Sequence, residues 1–152
     1  MSSALTILAT IVSGTLVFVL GQVALKLWID PVNELLKTIG AIAQARVELA
    51  GEIQTPGVLK SERYLEASHH LRKLSAQLHG YVFLLRPYEL VANFFKLPNR
   101  KSVLEAARLL AGISNGVGAT SDGNIRSNAI RFERVCDNLG ITIPDDERWP
   151  KE

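Results

Sequence analysis

The chain has 152 residues, with 17 basic and 15 acidic side chains and a single cysteine. A formal net charge of +2 argues against a dedicated nucleic-acid binder, which needs a concentrated basic face against phosphates. One cysteine rules out an internal disulfide, which suits a reducing compartment, and with three histidines it starves a Cys-rich zinc site.

Every charged side chain lies at or beyond Lys26, and residues 4–25 form an uncharged run of 22. At about 1.5 Å per residue a helix of that length reaches roughly 33 Å. A bilayer's hydrocarbon core is about 30 Å thick, so residues 1–28 are expected to form a single transmembrane anchor. A cleaved signal peptide fits less well. Residues 1–3 carry no Lys or Arg, the apolar run is too long, and no small-x-small cleavage site follows it. Lys26 and Trp28 then fall at the membrane interface, the indole half in lipid and half in water. Lys26 and Lys37 follow the run with no counterpart before it, so the positive-inside rule puts the remainder of the chain in the cytoplasm, on an inner or plasma membrane. Thr6, Thr10, Gly14 and Gly21 share one face of the run, a small-residue stripe that lets membrane helices approach and offers a route to a homo-oligomer.

Asp30-Pro31 is expected to open a new helix, with Asp30 as its cap and Pro31 in its first turn. Apolar spacing extends that helix over residues 31–53, on a stripe of Val32, Leu35, Leu36, Ile39, Ile42, Ala43, Ala50 and Ile53. Arg46 interrupts the stripe. Its stem can lie along the core edge with the guanidinium in water, or the charge can meet an acidic partner or a lipid phosphate. Pro56-Gly57 marks a loop. Ser61 can cap a third helix over 62–85, whose seam of Tyr64, Ala67, Leu71, Leu74, Leu78, Tyr81 and Leu85 suits a bundle.

Residues 80–97 are the second most apolar stretch. Arg86 and Glu89 near its centre make it a poor membrane span. Its aromatics either fill the core, the favoured reading, or let a short helix over 88–96 rest on lipid headgroups. Ser102 and Glu105 form a capping-box pair at the start of a helix ending near residue 115. That helix should bury Val103, Leu104, Ala107, Leu110 and Ala111. Arg100, Lys101 and Arg108, with Lys96, make a local basic patch suited to anionic headgroups or to a solvated surface. After a glycine-rich turn the last helix spans 124–139, burying Ile125, Ala129, Phe132, Val135, Cys136 and Leu139, and Gly140 stops it. Residues 141–152 should form a polar, extended or partly ordered tail.

The fold expected is therefore all-α. One membrane helix precedes a cytoplasmic bundle over residues 29–140, built of four main helices and one short one. Glu66 and His69 have the spacing of a di-iron ligand pair, but no second pair exists and both should face water. No nucleophile–base–orienter constellation stands out, and no cofactor is expected. The leading functional expectation is a membrane-anchored, non-catalytic interaction or regulatory protein with a protein partner at the lipid surface. The alternative is a small, oligomerising, membrane-perturbing protein.

Overall fold

A computed structural model of the chain describes residues 2–54, 61–117 and 122–148. Among these the secondary structure is entirely helical. Helix α1 (Ser2–Ala24) passes through a wide turn at Leu25–Ile29 into α2 (Asp30–Glu48). A single turn, α3 (Ala50–Gln54), follows, then α4 (Ser61–Leu84), α5 (Tyr88–Phe95), α6 (Arg100–Gly116) and α7 (Asp122–Leu139). A 3₁₀ turn at Asp145–Glu147 ends the described chain. The loop around Pro56-Gly57, the glycine turn at residues 118–121 and the side chains of Ser61 and Ile125 lie outside the described structure.

The expected break at Asp30-Pro31 does not form. Residues 3–48 are one continuous helix. Asp30 is helical and its N–H donates to the Leu25 carbonyl, five residues back, so it does not cap a new helix. Proline has no N–H and crowds the preceding turn. A turn widened to five-residue bonding absorbs that mismatch without breaking the rod. The second correction lies at the other end of α2. Leu49 leaves the helical region, so the expected helix over 31–53 divides into α2 and α3.

Helices α4 and α6 form the central pair, with α7 packed on α6 and α2 on α4. The core joins Leu35 and Ile42 of α2, Leu71 and Leu78 of α4, Leu110 and Ile113 of α6, and Val135 and Cys136 of α7. Two hydroxyls tie α4 to α6. Ser68 Oγ donates to the Ser114 carbonyl at 2.8 Å and Ser75 Oγ to the Ala107 carbonyl at 2.7 Å. Each bond lets a polar group sit at the helix interface without an unmet hydrogen bond. Of the expected stripes, Leu36 is exposed, while Thr38 and Val82 are buried instead. Thr38 is accommodated because its hydroxyl donates to the Glu34 carbonyl one turn back.

Helix α6 begins earlier than the Ser102–Glu105 pair implied. Asn99 is its cap, extended at φ −65°, ψ 155°, and its side chain accepts the Ser102 N–H at 2.8 Å. Glu105 instead accepts from Arg108, one turn along, which holds its carboxyl below the usual range. Asn99→Ala should therefore destabilise the bundle by about 1 kcal/mol. Ser102→Ala, assayed in parallel by thermal unfolding of the full chain in detergent, should change stability by clearly less.

Gly140 closes α7 at φ +72°, where a side chain would be strained, and the Ile141 N–H donates back to the Cys136 carbonyl at 2.9 Å. Beyond it the chain stays attached. Ile143 is buried in the core cluster. Arg148 Nη2 donates to Asp137 Oδ1 at 3.0 Å. Arg46 Nη1 donates to Glu147 Oε2 at 2.7 Å and Nη2 to the Glu147 carbonyl at 3.2 Å. The stretch expected to be a polar, extended or partly ordered tail thus packs against the bundle as far as Arg148.

Burial pushes the Cys136 thiol up to about 11, with the Arg46 charge opposing. The folded chain prefers the neutral thiol. Its contribution to stability is complete below about pH 9, the ordinary thiol value, and is lost as pH rises towards about 11. Thiol labelling at pH 8 should accordingly be slow and limited by opening of the fold. Measured by mass spectrometry, a rate like that of a free peptide thiol would contradict the burial.

Candidate membrane-contact surface

Residues of α1 from Ser3 to Val23 are exposed along the whole circumference, Leu, Ile, Val and Phe included. The helix is long and apolar enough to cross a membrane. Three of its hydroxyls bond back onto the helix. Thr10 Oγ1 donates to the Thr6 carbonyl at 2.9 Å, Ser13 Oγ to that of Thr10 at 3.0 Å and Thr15 Oγ1 to that of Ile11 at 2.9 Å. Bonding back onto the helix leaves these hydroxyls satisfied even in a hydrocarbon environment, which offers no other partners. Gly14 and Gly21 have no neighbouring atom within 4 Å of the place a Cβ would take, so the Thr10–Gly14–Gly21 face is open.

Lys26 and Trp28 lie in the wide turn, both exposed. Here the rod meets the bundle, and here the apolar stretch 80–97 divides. Tyr88, Val91 and Ala92 face inward and are buried. Tyr88 Oη donates to the Pro98 carbonyl at 2.7 Å. Burial, and secondarily the Glu89 charge, pushes that phenol up to about 12. Leu90 and Phe94, one helical turn apart, point the other way and are 70% and 80% exposed. Leu84, Phe83 and Phe95 are also exposed. The favoured expectation that these aromatics fill the core is thus met by Tyr88 and not by the phenylalanines. On α5 the inward stripe runs through Tyr88, Val91 and Ala92 and ends at the partly covered Phe95; Leu90 and Phe94 lie off it, and Phe83 belongs to α4.

Between the base of α1 and α5 runs an apolar groove of about 330 Å³, lined by Ala24, Trp28, Ile29, Pro87, Leu90, Val91, Phe94 and Phe95. Across Pro87 a second groove, of about 520 Å³, includes Phe83, Arg86, Glu89 and Arg100. The Arg100 guanidinium lies 5.3 Å from the centre of the Phe83 ring, a cation–π contact that positions the charge beside the apolar surface.

The basic residues singled out from sequence have different neighbours. Arg100 and the exposed Lys101 start α6 near the α5 end. Arg108 pairs with Glu105 at 2.8 Å on the exposed face of α6. Arg46, 23% exposed at its side chain, is engaged by Glu147 across 101 residues of sequence. Glu66 and His69 lie on the exposed face of α4. Among the described residues no three His, Cys, Asp or Glu side chains gather as a metal site would require. The His79 ring lies tilted against Phe83, with 4.9 Å between ring centres.

What sequence reasoning did not place is the juxtaposition of the exposed α5 face with Trp28. The signal for that face was present as the i, i+4 pair Leu90 and Phe94, out of phase with Tyr88 and Val91. The chain matches no protein-family model, no curated protein and no solved structure.

Proposed function

We propose that this chain is a single-pass membrane protein whose helical bundle serves as an interaction or regulatory module, held at the cytoplasmic face of an inner or plasma membrane. The observation that carries the reading is the unbroken helix over 3–48, apolar and unpacked in α1 and amphipathic in α2. A bundle joined to its anchor by continuous helix keeps a set height and orientation over the bilayer. Confinement to two dimensions also raises its effective concentration for a membrane-bound partner. Val47 and Leu65, large apolar side chains 71% and 62% exposed on the bundle, are reasonable contact points for such a partner.

A photo-crosslinking residue placed at Val47 or Leu65 of the full chain in native membranes should yield a discrete larger adduct. Unfolding the bundle by a core substitution should abolish it. Absence of any adduct from either position, in membranes where the chain is folded, overturns the interaction reading. Orientation is tested separately with Asp146→Cys, at an exposed site outside the core. A membrane-impermeant thiol reagent should modify it only after the membrane is opened.

The alternative of a membrane-perturbing oligomer draws on the open Thr10–Gly14–Gly21 face. Dye release from liposomes carrying the full chain separates the two. The interaction reading expects none, and release that rises steeply with protein-to-lipid ratio would favour the alternative.

A further inference from the structure

We infer that α5 is an interfacial foot. It lies in the headgroup layer of the bilayer that α1 crosses, with Leu90, Phe94 and Phe95 in contact with lipid and Trp28 beside them. The inference rests on the membrane reading of α1 and goes beyond it by assigning an occupant to the α5 face.

Three observations converge on lipid as that occupant. The first is height. Trp28 stands three residues beyond the end of the uncharged run, about 4.5 Å further along the helix axis. The headgroup layer on each side of the hydrocarbon is about 5–7 Å deep, so Trp28 falls within it. Trp28 and α5 line one groove, so α5 is at the same level. The second is continuity. The groove's other wall is Ala24, Trp28 and Ile29, the foot of the membrane helix itself, so lipid surrounding α1 also reaches α5. The third is two-sidedness. Tyr88, Val91 and Ala92 bury one face in the bundle, while the opposite face carries Leu90 and Phe94 rather than charge. A helix apolar on both sides suits a site between a protein core and a lipid boundary. Exposed Arg86, Lys96 and Arg100 flank this face with Glu89 as the acid among them, a basic rim that favours anionic headgroups.

The test uses the full chain in mixed phosphatidylcholine and phosphatidylglycerol vesicles. A nitroxide is attached at Leu90→Cys, Phe94→Cys, Val17→Cys in the anchor, or Val47→Cys on the bundle. Cys136, buried and protonated, stays unlabelled in a folded chain, so a second label exposes any variant that has lost its fold. Leu90 and Phe94 are exposed enough that neither change removes a core side chain. The measurement compares collisions with oxygen, which concentrates in lipid, and with a water-soluble nickel chelate. Positions 90 and 94 should favour oxygen several-fold over position 47, approaching position 17. If 90 and 94 match 47 while 17 remains in lipid, the foot is overturned and the anchor stands. If 17 also matches 47, the membrane reading fails and takes the inference with it. If 90 and 94 exclude both reagents, protein covers α5, and the lipid assignment is overturned.

Discussion

The double variant Val12→Arg/Leu16→Arg should leave the membrane fraction almost entirely. Both positions lie near the middle of the uncharged run and both side chains are well exposed on α1. Near the centre of a membrane helix an arginine costs about 2.5–3.5 kcal/mol on insertion scales, and a Leu or Val removed there forfeits about 0.3–0.6. Two such changes amount to roughly 6–8 kcal/mol, against a rise of only a few tenths for Leu16→Ala on the same scale. Alkaline extraction of membranes is the direct measurement. The parent chain and Leu16→Ala should stay in the pellet, while the double variant should be extracted into the supernatant. A parent chain already free in the supernatant would overturn the anchor. Helix α1 makes almost no contact with the bundle beyond the wide turn that follows it. The substitutions should therefore leave the packing of α4, α6 and α7 unaltered, so the readout reports partition alone.

Leu110→Ala should be the most damaging single change in the bundle. Leu110 is fully buried on α6, in the core it shares with α4 and α7. Truncating such a leucine typically costs about 2–5 kcal/mol, part for the lost transfer energy and part for the cavity left behind. Cys136 offers an internal gauge, since its buried thiol reacts only when the fold opens. The labelling rate of the full chain in detergent at pH 8 should rise by roughly 30-fold to several thousand-fold, the kinetic equivalent of that range. Leu65→Ala, at a side chain 62% exposed, should change the rate little. Equal rates for the two variants would mean that α6 is not the centre of the core.

Much of this architecture was legible in the sequence because it rests on short-range periodicity. The seams of α4 and α7 follow from helical spacing alone, and Ala67, Leu71, Leu74 and Leu78 are buried as their register requires. Gly140 was legible as a stop for the same local reason. The misreadings are of two kinds. Some local signals had a competitor nearby. Ser102 and Glu105 look like a capping box, but Asn99, three residues earlier, takes the cap and leaves Glu105 to Arg108. Asp30-Pro31 looks like a helix start, but a wider turn lets the rod continue. Other features join distant parts of the chain, such as Arg46 with Glu147 and Ser68 with the Ser114 carbonyl. Nothing in the spacing of either partner announces these, because their geometry exists only once the helices have packed.

The sequence by itself determined that the chain is helical and that one uncharged run is long enough to cross a bilayer. Both properties belong to single segments, through rise per residue and hydrophobic period. Only the tertiary structure decided how the aromatic stretch is shared, with Tyr88 inward and Leu90 and Phe94 outward beside Trp28. A short apolar helix has two faces to cover, and which of them meets protein depends on where α1, α4 and α6 leave space.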